Sequence, residues 1–158
     1  MRKHPLPSPD RILGLVLYDA ERGVLISRRT GKIVGQKTHK GYVRVYIGRA
    51  KIRAHHIVWF LETGKWPEML DHINGDRSDN RISNLREASP SENAANSGVR
   101  KNNRLGIKGV SVARGTIFRA KIQHHGRGIF LGNFRSVEEA SAAYADAAKR
   151  YYGKFSKC

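Results

Sequence analysis

Thirty lysines and arginines stand against thirteen aspartates and glutamates in these 158 residues, so any fold must hold together against a formal net charge of +17. That excess is more than solubility requires and implies a polyanionic partner, with nucleic acid the first candidate. A membrane surface also attracts cations, but no apolar run approaches a spanning helix and no basic amphipathic helix dominates, so no membrane partner is expected. The fold must also manage without staples. The single cysteine is the last residue, Cys158, which excludes an internal disulfide and a thiolate zinc cluster and leaves oxygen and imidazole as the available metal ligands. Apolar residues at 39% and scattered glycines indicate folded protein, in one ordinary domain or two small ones. Met1-Arg2-Lys3-His4-Pro5 is followed by Leu6-Pro7-Ser8-Pro9-Asp10, which lacks the apolar stretch of a secretory signal, so a cytoplasmic location is expected.

Val24 to Ser27, Tyr42 to Ile47 and Lys51 to Ala54 read as strands of an antiparallel meander, being β-branched and aromatic runs punctuated by glycine. From His55 to Thr63 the apolar residues Ile57, Val58, Phe60 and Leu61 recur at helical spacing, and Gly64 then Pro67 supply the stop. A strand ending at His72 precedes the turn dipeptide Asn74-Gly75, and residues 84–88 form its returning partner. Ser89-Pro90-Ser91-Glu92 then opens a helix with Ser at the cap, Pro at N1 and Glu at N3. Residues 98–107, polar and basic with Arg100, Lys101 and Arg104, read as a linker. Beyond it, residues 109–113, 117–123 and 128–134 are strand-like, with His125-Gly126 as a turn between the last two. Ser136 to Glu139 reads as another capping box, and Ala140, Ala143, Tyr144, Ala147 and Tyr151 then mark one helical face.

Hydrolysis of a phosphodiester needs a base to activate water and a cation to offset charge building on the phosphate. Asp71-His72 offers a base and a metal ligand side by side. Asp71-His72-Ile73-Asn74-Gly75-Asp76, Asp79-Asn80-Arg81-Ile82, Asn84-Leu85-Arg86 and Glu92-Asn93, preceded by His56 to Trp59 and Gly64 to Pro67, resemble the HNH endonucleases, particularly their phage-borne homing members. The resemblance spans roughly residues 40–97, with several motifs in order. It implies that His72 is the general base, that Asp71 and Asn93 bind one divalent cation, and that Asn84 holds the loop so that His72 is oriented. Neutral imidazole suits a base near pH 7. A carboxylate and an amide oxygen suit a hard cation, so magnesium is expected, with manganese the alternative. His55 and His56 are expected to be packing or capping groups, Asp76 and Asp79 solvated loop residues, and His124 and His125 neutral or DNA-facing hairpin residues.

The C-terminal residues Gly109-Val110, Phe118, Ala120, Ile122, Phe130-Leu131-Gly132, Phe134, Glu138-Glu139-Ala140 and Ala143-Tyr144 resemble the APETALA-type, or ethylene-response-factor, DNA-binding domain. That resemblance implies a three-stranded sheet in the major groove with a helix behind it. Strand alternation would turn Phe118, Ala120 and Ile122 toward the helix and Arg119, Lys121 and Gln123 outward. The expected DNA-binding residues are Lys108, Ser111, Arg114, Arg119, Lys121, Gln123, Arg127 and Asn133, with Phe130 beside them. Most of the family's arginines and tryptophans are missing, so phosphate contacts outweigh base reading.

These readings converge on an α+β protein in three parts. Residues 1–97 make a small β-meander plus a ββα-metal nuclease core at 68–97, residues 98–107 a basic linker, and residues 108–158 a three-stranded antiparallel sheet on one helix. The expected activity is metal-dependent cleavage of double-stranded DNA by a monomer without a protein partner, leaving a 5′-phosphate and a 3′-hydroxyl, in the host cytoplasm if the gene is carried by a phage. A DNA-binding regulator that keeps the fold without activity is the main alternative. A basic RNA-binding protein is a third, and it lacks the aromatic stacking motifs of the usual RNA modules.

Overall fold

The computed structural model describes residues 5–99 and 102–156; Met1 to His4, Arg100, Lys101, Lys157 and Cys158 lie outside the described residues. The fold is α+β, and the chain forms two compact units, Met1–Glu87 and Ala88–Cys158. The division falls at the cap of the helix that follows Ser89, so that helix packs with the second unit.

In the first unit, helix α1 (Pro9–Leu15) leads into β1 (Val16–Asp19), β2 (Val24–Ser27) and β3 (Ile33–Val34), an antiparallel sheet in that order. Helix α1 was not among the expected elements, yet its signals are present: Ser8 accepts a hydrogen bond from the Arg11 amide, Pro9 sits in the first turn and Ile12 is completely buried. A second antiparallel sheet follows from β4 (Gln36–Lys37), β5 (Val43–Ile47) and β6 (Ala50–Arg53). Alternation buries Val45, Ile47, Ala50 and Ile52 on one face of it, against Ile57 and Val58 of α2 (Ala54–Thr63). Each such branched side chain contributes about 1.5–3 kcal/mol on burial. Gly64 ends α2 in the left-handed conformation, and beyond it Trp66 stacks on Phe60 at 4.7 Å. The unit closes with β7 (Leu70–His72), a 3-10 turn (Ile82–Asn84) and β8 (Leu85–Glu87), which pairs antiparallel with β7.

His55 lies at the start of α2 and is 1% exposed, and its Nδ1 has no hydrogen-bond partner among the described residues. It is a packing residue, as expected, and its ring contacts are with Tyr42, His56 and His72. Burial, with smaller repulsions from His56, His72 and Arg53, lowers its pKa to about 2.

The second unit opens with α3 (Pro90–Asn96), where Ser89 and Glu92 complete the expected reciprocal capping box. Strands β9 (Val110–Arg114), β10 (Ile117–His124) and β11 (Arg127–Phe134) form an antiparallel sheet with β10 in the middle, packed on α4 (Val137–Tyr152). The expected turn between β10 and β11 is present, with both His125 and Gly126 at positive φ. Leu105 and Ile107 pack against this core, so the described end of the 98–107 stretch is anchored here.

Two expectations at α4 need correction. The cap is only half a box: Ser136 accepts from the Glu139 amide, but the Glu139 carboxylate takes the amide of Arg135, one residue upstream of the cap. The buried face runs through Ala140, Tyr144, Ala147, Ala148 and Tyr152, because Tyr152 turns inward to give its hydroxyl to the Gln123 carbonyl while Tyr151 is half-buried. His124 packs its ring on Tyr151 at 4.8 Å and Tyr152 at 5.4 Å.

Gly109 carries the closest approach in this unit. Its φ is +73°, and a Cβ there would overlap the Tyr144 ring and lie 2.8 Å from the Lys121 carbonyl oxygen. Gly109→Ala should therefore destabilise the protein by about 3 kcal/mol, from left-handed strain plus overpacking. Gly115 has φ +54° and nothing within 4 Å of a Cβ, so Gly115→Ala should cost only about 1 kcal/mol. Urea unfolding followed by circular dichroism measures both, and equal losses would show that the Tyr144 approach is unimportant.

His55 generates a second expectation. Its folded-state pKa lies below the ordinary 6.5, so the unfolded chain binds the extra proton and stability falls as pH drops from 6.5 toward about 2. The slope from this group is about 1.4 kcal/mol per pH unit. In His55→Leu, the pH dependence of the urea midpoint should shrink by about one proton's worth; an unchanged slope would mean that His55 does not carry it.

Candidate active site

Strand β7 places Asp71 opposite Arg86 and His72 opposite Leu85 on β8. Both Asp71 and His72 are buried, at 5% and 4% exposure. Arg86 reaches across the pair and donates from Nε at 3.0 Å and Nη2 at 2.8 Å to Oδ2 of Asp71. Two bonds to one oxygen fix the carboxylate's rotation and offset part of the cost of burying it.

The His72 ring is held on several sides. It meets His55 edge-on at 4.8 Å and Tyr42 at 6.0 Å, and its Nε2 lies 3.2 Å from Oδ1 of Asn80. Asn80 is itself 3% exposed, and its Nδ2 donates to the Ser78 carbonyl at 3.2 Å. That second bond turns the amide so that oxygen faces the imidazole, which assigns the donor hydrogen to Nε2 and the basic lone pair to Nδ1. Burial lowers the His72 pKa, while Asn80 and the charges of Asp71, Asp76 and Asp79 work in the opposite direction. The neutral form is favoured at pH 7.

The loop between β7 and β8 explains how Asn80 reaches this position. Asn84 accepts the Asn74 amide on Oδ1 at 2.9 Å and donates from Nδ2 to the Asp79 carbonyl at 2.8 Å, tying together the loop's beginning and end. Inside it, Asn74 Nδ2 bonds Asp79 at 2.9 Å, and Asp76 accepts the amide and hydroxyl of Ser78. Those two bonds lower the Asp76 pKa, and the paired Arg81 guanidinium pulls Asp79 down to about 2. The Tyr18 hydroxyl ties the same loop to β1 by donating to the Asn80 carbonyl at 3.3 Å and accepting the Ile82 amide at 2.9 Å.

Among the residues expected at the site, the structure brings Asp71, His72 and Asn84 together in the first unit. Asn93 belongs to the second unit, half-buried in the first turn of α3 with its amide bonded to the Ser89 carbonyl at 3.0 Å. Among the described residues no group of three or more His, Cys, Asp or Glu side chains is arranged to hold an ion. Sequence reasoning passed over the supporting roles of Asn80, Arg86, Tyr42 and Tyr18. The Asp71–Arg86 pair follows from hairpin register, whereas the Asn80 contact depends on how a long loop folds back.

On the second unit's sheet, Ser111, Arg119 and Asn133 lie in one exposed cross-strand row, with Lys121 beside Phe130 in the next and Gln123 beyond. Arg119 Nε approaches Asn133 Oδ1 at 3.5 Å, and Arg114 and Arg127 are exposed at strand ends. Lys108 instead directs its ammonium group to the backbone carbonyls of Ala95 and Ser97. Among the described residues no helix is long and apolar enough to cross a membrane.

A family model for HNH endonucleases matches residues 53–95, the segment from the end of β6 into α3. Protein 3.8 of Escherichia phage T7 is 32% identical over 115 residues, a match that covers 66% of this chain and 88% of the phage protein. No solved structure matches. With the family match centred on the β7–β8 hairpin and its loop, and a phage relative aligned over most of its length, the chain belongs to the HNH endonuclease family.

Proposed function

We propose that this chain is a metal-dependent endonuclease that hydrolyses phosphodiester bonds of double-stranded DNA, in the manner of phage homing endonucleases. The observation that carries the reading is the tethering of His72: a buried, neutral imidazole with Nε2 held by Asn80 is prepared to take a proton at Nδ1. Water attacks phosphorus as its proton passes to His72, the bond from phosphorus to the 3′ oxygen breaks with that oxygen taking a proton from solvent, and the ends are a 5′-phosphate and a 3′-hydroxyl. Asn84 serves the reaction by holding the loop that carries Asn80.

Asp71 and Asn93 are the residues that would hold a divalent cation. Their donors, a carboxylate and an amide oxygen, suit a hard ion such as magnesium or manganese, and the rotation of the carboxylate is already set by Arg86. Such a cation, when bound, supplies positive charge to the phosphate in the transition state.

The second unit holds the enzyme on duplex DNA. Support comes from the exposed Ser111, Arg119, Asn133, Lys121 and Gln123 of its sheet. The APETALA-type assignment rests on the matching residues and on the three strands backed by one helix. The protein acts as a monomer, and the phage relative is in keeping with action in the cytoplasm of a bacterial host.

One observation favours the alternative of an inactive DNA-binding regulator: Arg86 already gives Asp71 a positive partner. A magnesium-dependent plasmid-cleavage assay separates the two. Wild-type protein should nick or cut, and His72→Ala should lower the rate by about a hundredfold to ten-thousandfold while duplex binding persists. A folded His72→Ala variant that cleaves normally would remove His72 from the mechanism.

Asn80→Ala should lower kcat roughly 10- to 100-fold with KM retained, because the imidazole loses the partner that selects its tautomer. Asn80→Asp keeps an oxygen facing Nε2 and should recover much of that loss. If both variants fail alike while their thermal unfolding matches wild type, tautomer selection is not what Asn80 provides.

A further inference from the structure

The sheet β4–β5–β6 presents an exposed face that its own electrostatics disfavours. Gln36, Arg44 and Arg53 are cross-strand partners in one row, and Tyr46 faces Lys51 in the next, so these five side chains share a face. All five are exposed, while the intervening Val45, Ile47, Ala50 and Ile52 bury the other side. Like charges directly opposite each other, as in Arg44 and Arg53, are destabilising, and these three strands contain no acidic residue to relieve them. The DNA-binding residues expected from the sequence all lie in the second unit, so this cationic face has no role in the preceding scheme.

Its end nearest His72 is organised by an aromatic ring. The Arg53 guanidinium carbon lies 4.5 Å from the centroid of Tyr42, and that of Arg77, from the β7–β8 loop, lies 4.9 Å from it. Arg77 is further anchored by Nη1 donating to the Lys40 carbonyl at 3.1 Å. Neither arginine has an ion-pair partner among the described residues; nearby, Asp79 is taken by Arg81, and Asp76 by the amide and hydroxyl of Ser78. The Tyr42 ring rests against His72 at 6.0 Å and His55 at 5.5 Å. Two guanidinium groups are thus ordered on the ring that borders the base. A guanidinium stacked on an aromatic face retains N–H groups for oxygen acceptors, and the planar fork suits phosphate. Farther along, Lys51 lies 6.0 Å from the exposed Tyr46 ring and continues the same arrangement.

We propose that this face is a phosphate track for the DNA backbone: Arg53 and Arg77, gathered on Tyr42, bind the two phosphates next to the one presented to His72, and Arg44 and Lys51 bind those that follow. The position relative to the scissile bond rests on the nuclease reading. The track itself does not, because binding can be measured without cleavage.

The test uses the intact chain and a short fluorescein-labelled DNA duplex in buffer with chelator, with anisotropy titrations over a range of salt. Arg53→Gln/Arg77→Gln is compared with Arg29→Gln/Lys32→Gln, which removes the same charge from the exposed turn between β2 and β3. The magnitude of the slope of log Kobs against log salt should fall by about two for the first pair, at about 0.9 for each phosphate no longer neutralised, and by less than half that for the second. Tyr42→Phe should retain the wild-type slope, and Tyr42→Leu should lower it by about one. Equal losses in the two double variants would reduce the effect to overall charge and overturn the proposal, as would an unchanged slope in Arg53→Gln/Arg77→Gln. If wild-type protein shows these binding effects but does not cleave with magnesium, the track stands and the nuclease reading falls. If it cleaves, Arg53→Gln/Arg77→Gln should raise KM while kcat stays within about twofold; a loss in kcat with an unaltered salt slope would count against the track.

Discussion

Asn84 holds the first unit's site together. Its amide is the link between Asn74, at the start of the β7–β8 loop, and Asp79, at its middle. The loop spans twelve residues, 73–84, between two three-residue strands, a hairpin too short to restrain it by ladder bonds alone. With both of Asn84's bonds made, Asp79 lies where Asn74 and Arg81 can share it, and the following residue, Asn80, is delivered to His72. Without them the loop would face a larger ensemble, and the imidazole would lose the partner that selects its tautomer. A side chain that does not touch the imidazole thereby controls which nitrogen of His72 carries the hydrogen. Asparagine suits the task because one planar group accepts at one end and donates at the other.

Charge is the second constraint, and the fold accommodates it without cancelling it. The ion pairs among the described residues are Arg22–Asp19, Arg81–Asp79 and Arg86–Asp71, and only the last is substantially buried. Surface pairs contribute little to stability. The burden falls on two apolar cores, one around Ile12, Leu25, Ile57 and Val58 and one around Ala120, Ile122 and the alanines of α4. Part of the cationic excess is left on exposed sheet faces, and both units display one. A chain stabilised only from within can keep repelling its own surface until a polyanion arrives.

The legible parts of the fold were those where a local rule and the tertiary environment agree. Helix α2 has apolar spacing, a buried destination and a glycine in the left-handed cap, and the His125-Gly126 turn needs only two residues at positive φ. Helix α1 carried an equally good local signal in Ser8-Pro9, but the signal opens a seven-residue helix whose single buried side chain, Ile12, gives no periodicity to detect. At α4 the same kind of local rule misled: Ser136 and Glu139 have box spacing, but the Glu139 carboxylate settles on the Arg135 amide. Tyr152 took the place expected of Tyr151 because a hydroxyl acceptor, the Gln123 carbonyl, lies on its side of the helix, a long-range fact that helical spacing does not encode. In the site, Asp71, His72 and Asn84 were legible as a motif in one stretch of chain, whereas Tyr42 enters from just before β5 and Tyr18 from β1.

The burial of His55 against His72 shows why such a site tolerates an unsatisfied group. Nδ1 of His55 is buried without a hydrogen bond, which ordinarily costs about 1–3 kcal/mol. Leucine would fill the space more cheaply, but it has no ring to set edge-on against the His72 imidazole at 89°. The ring also shields one side of His72 from water without placing a cation there, since burial keeps His55 itself neutral down to about pH 2. A charged neighbour would lower the affinity of His72 for a proton. A neutral, buried imidazole confines the His72 ring while leaving its affinity for a proton to be set by its own burial and, in the opposite direction, by Asn80 and the aspartates around it.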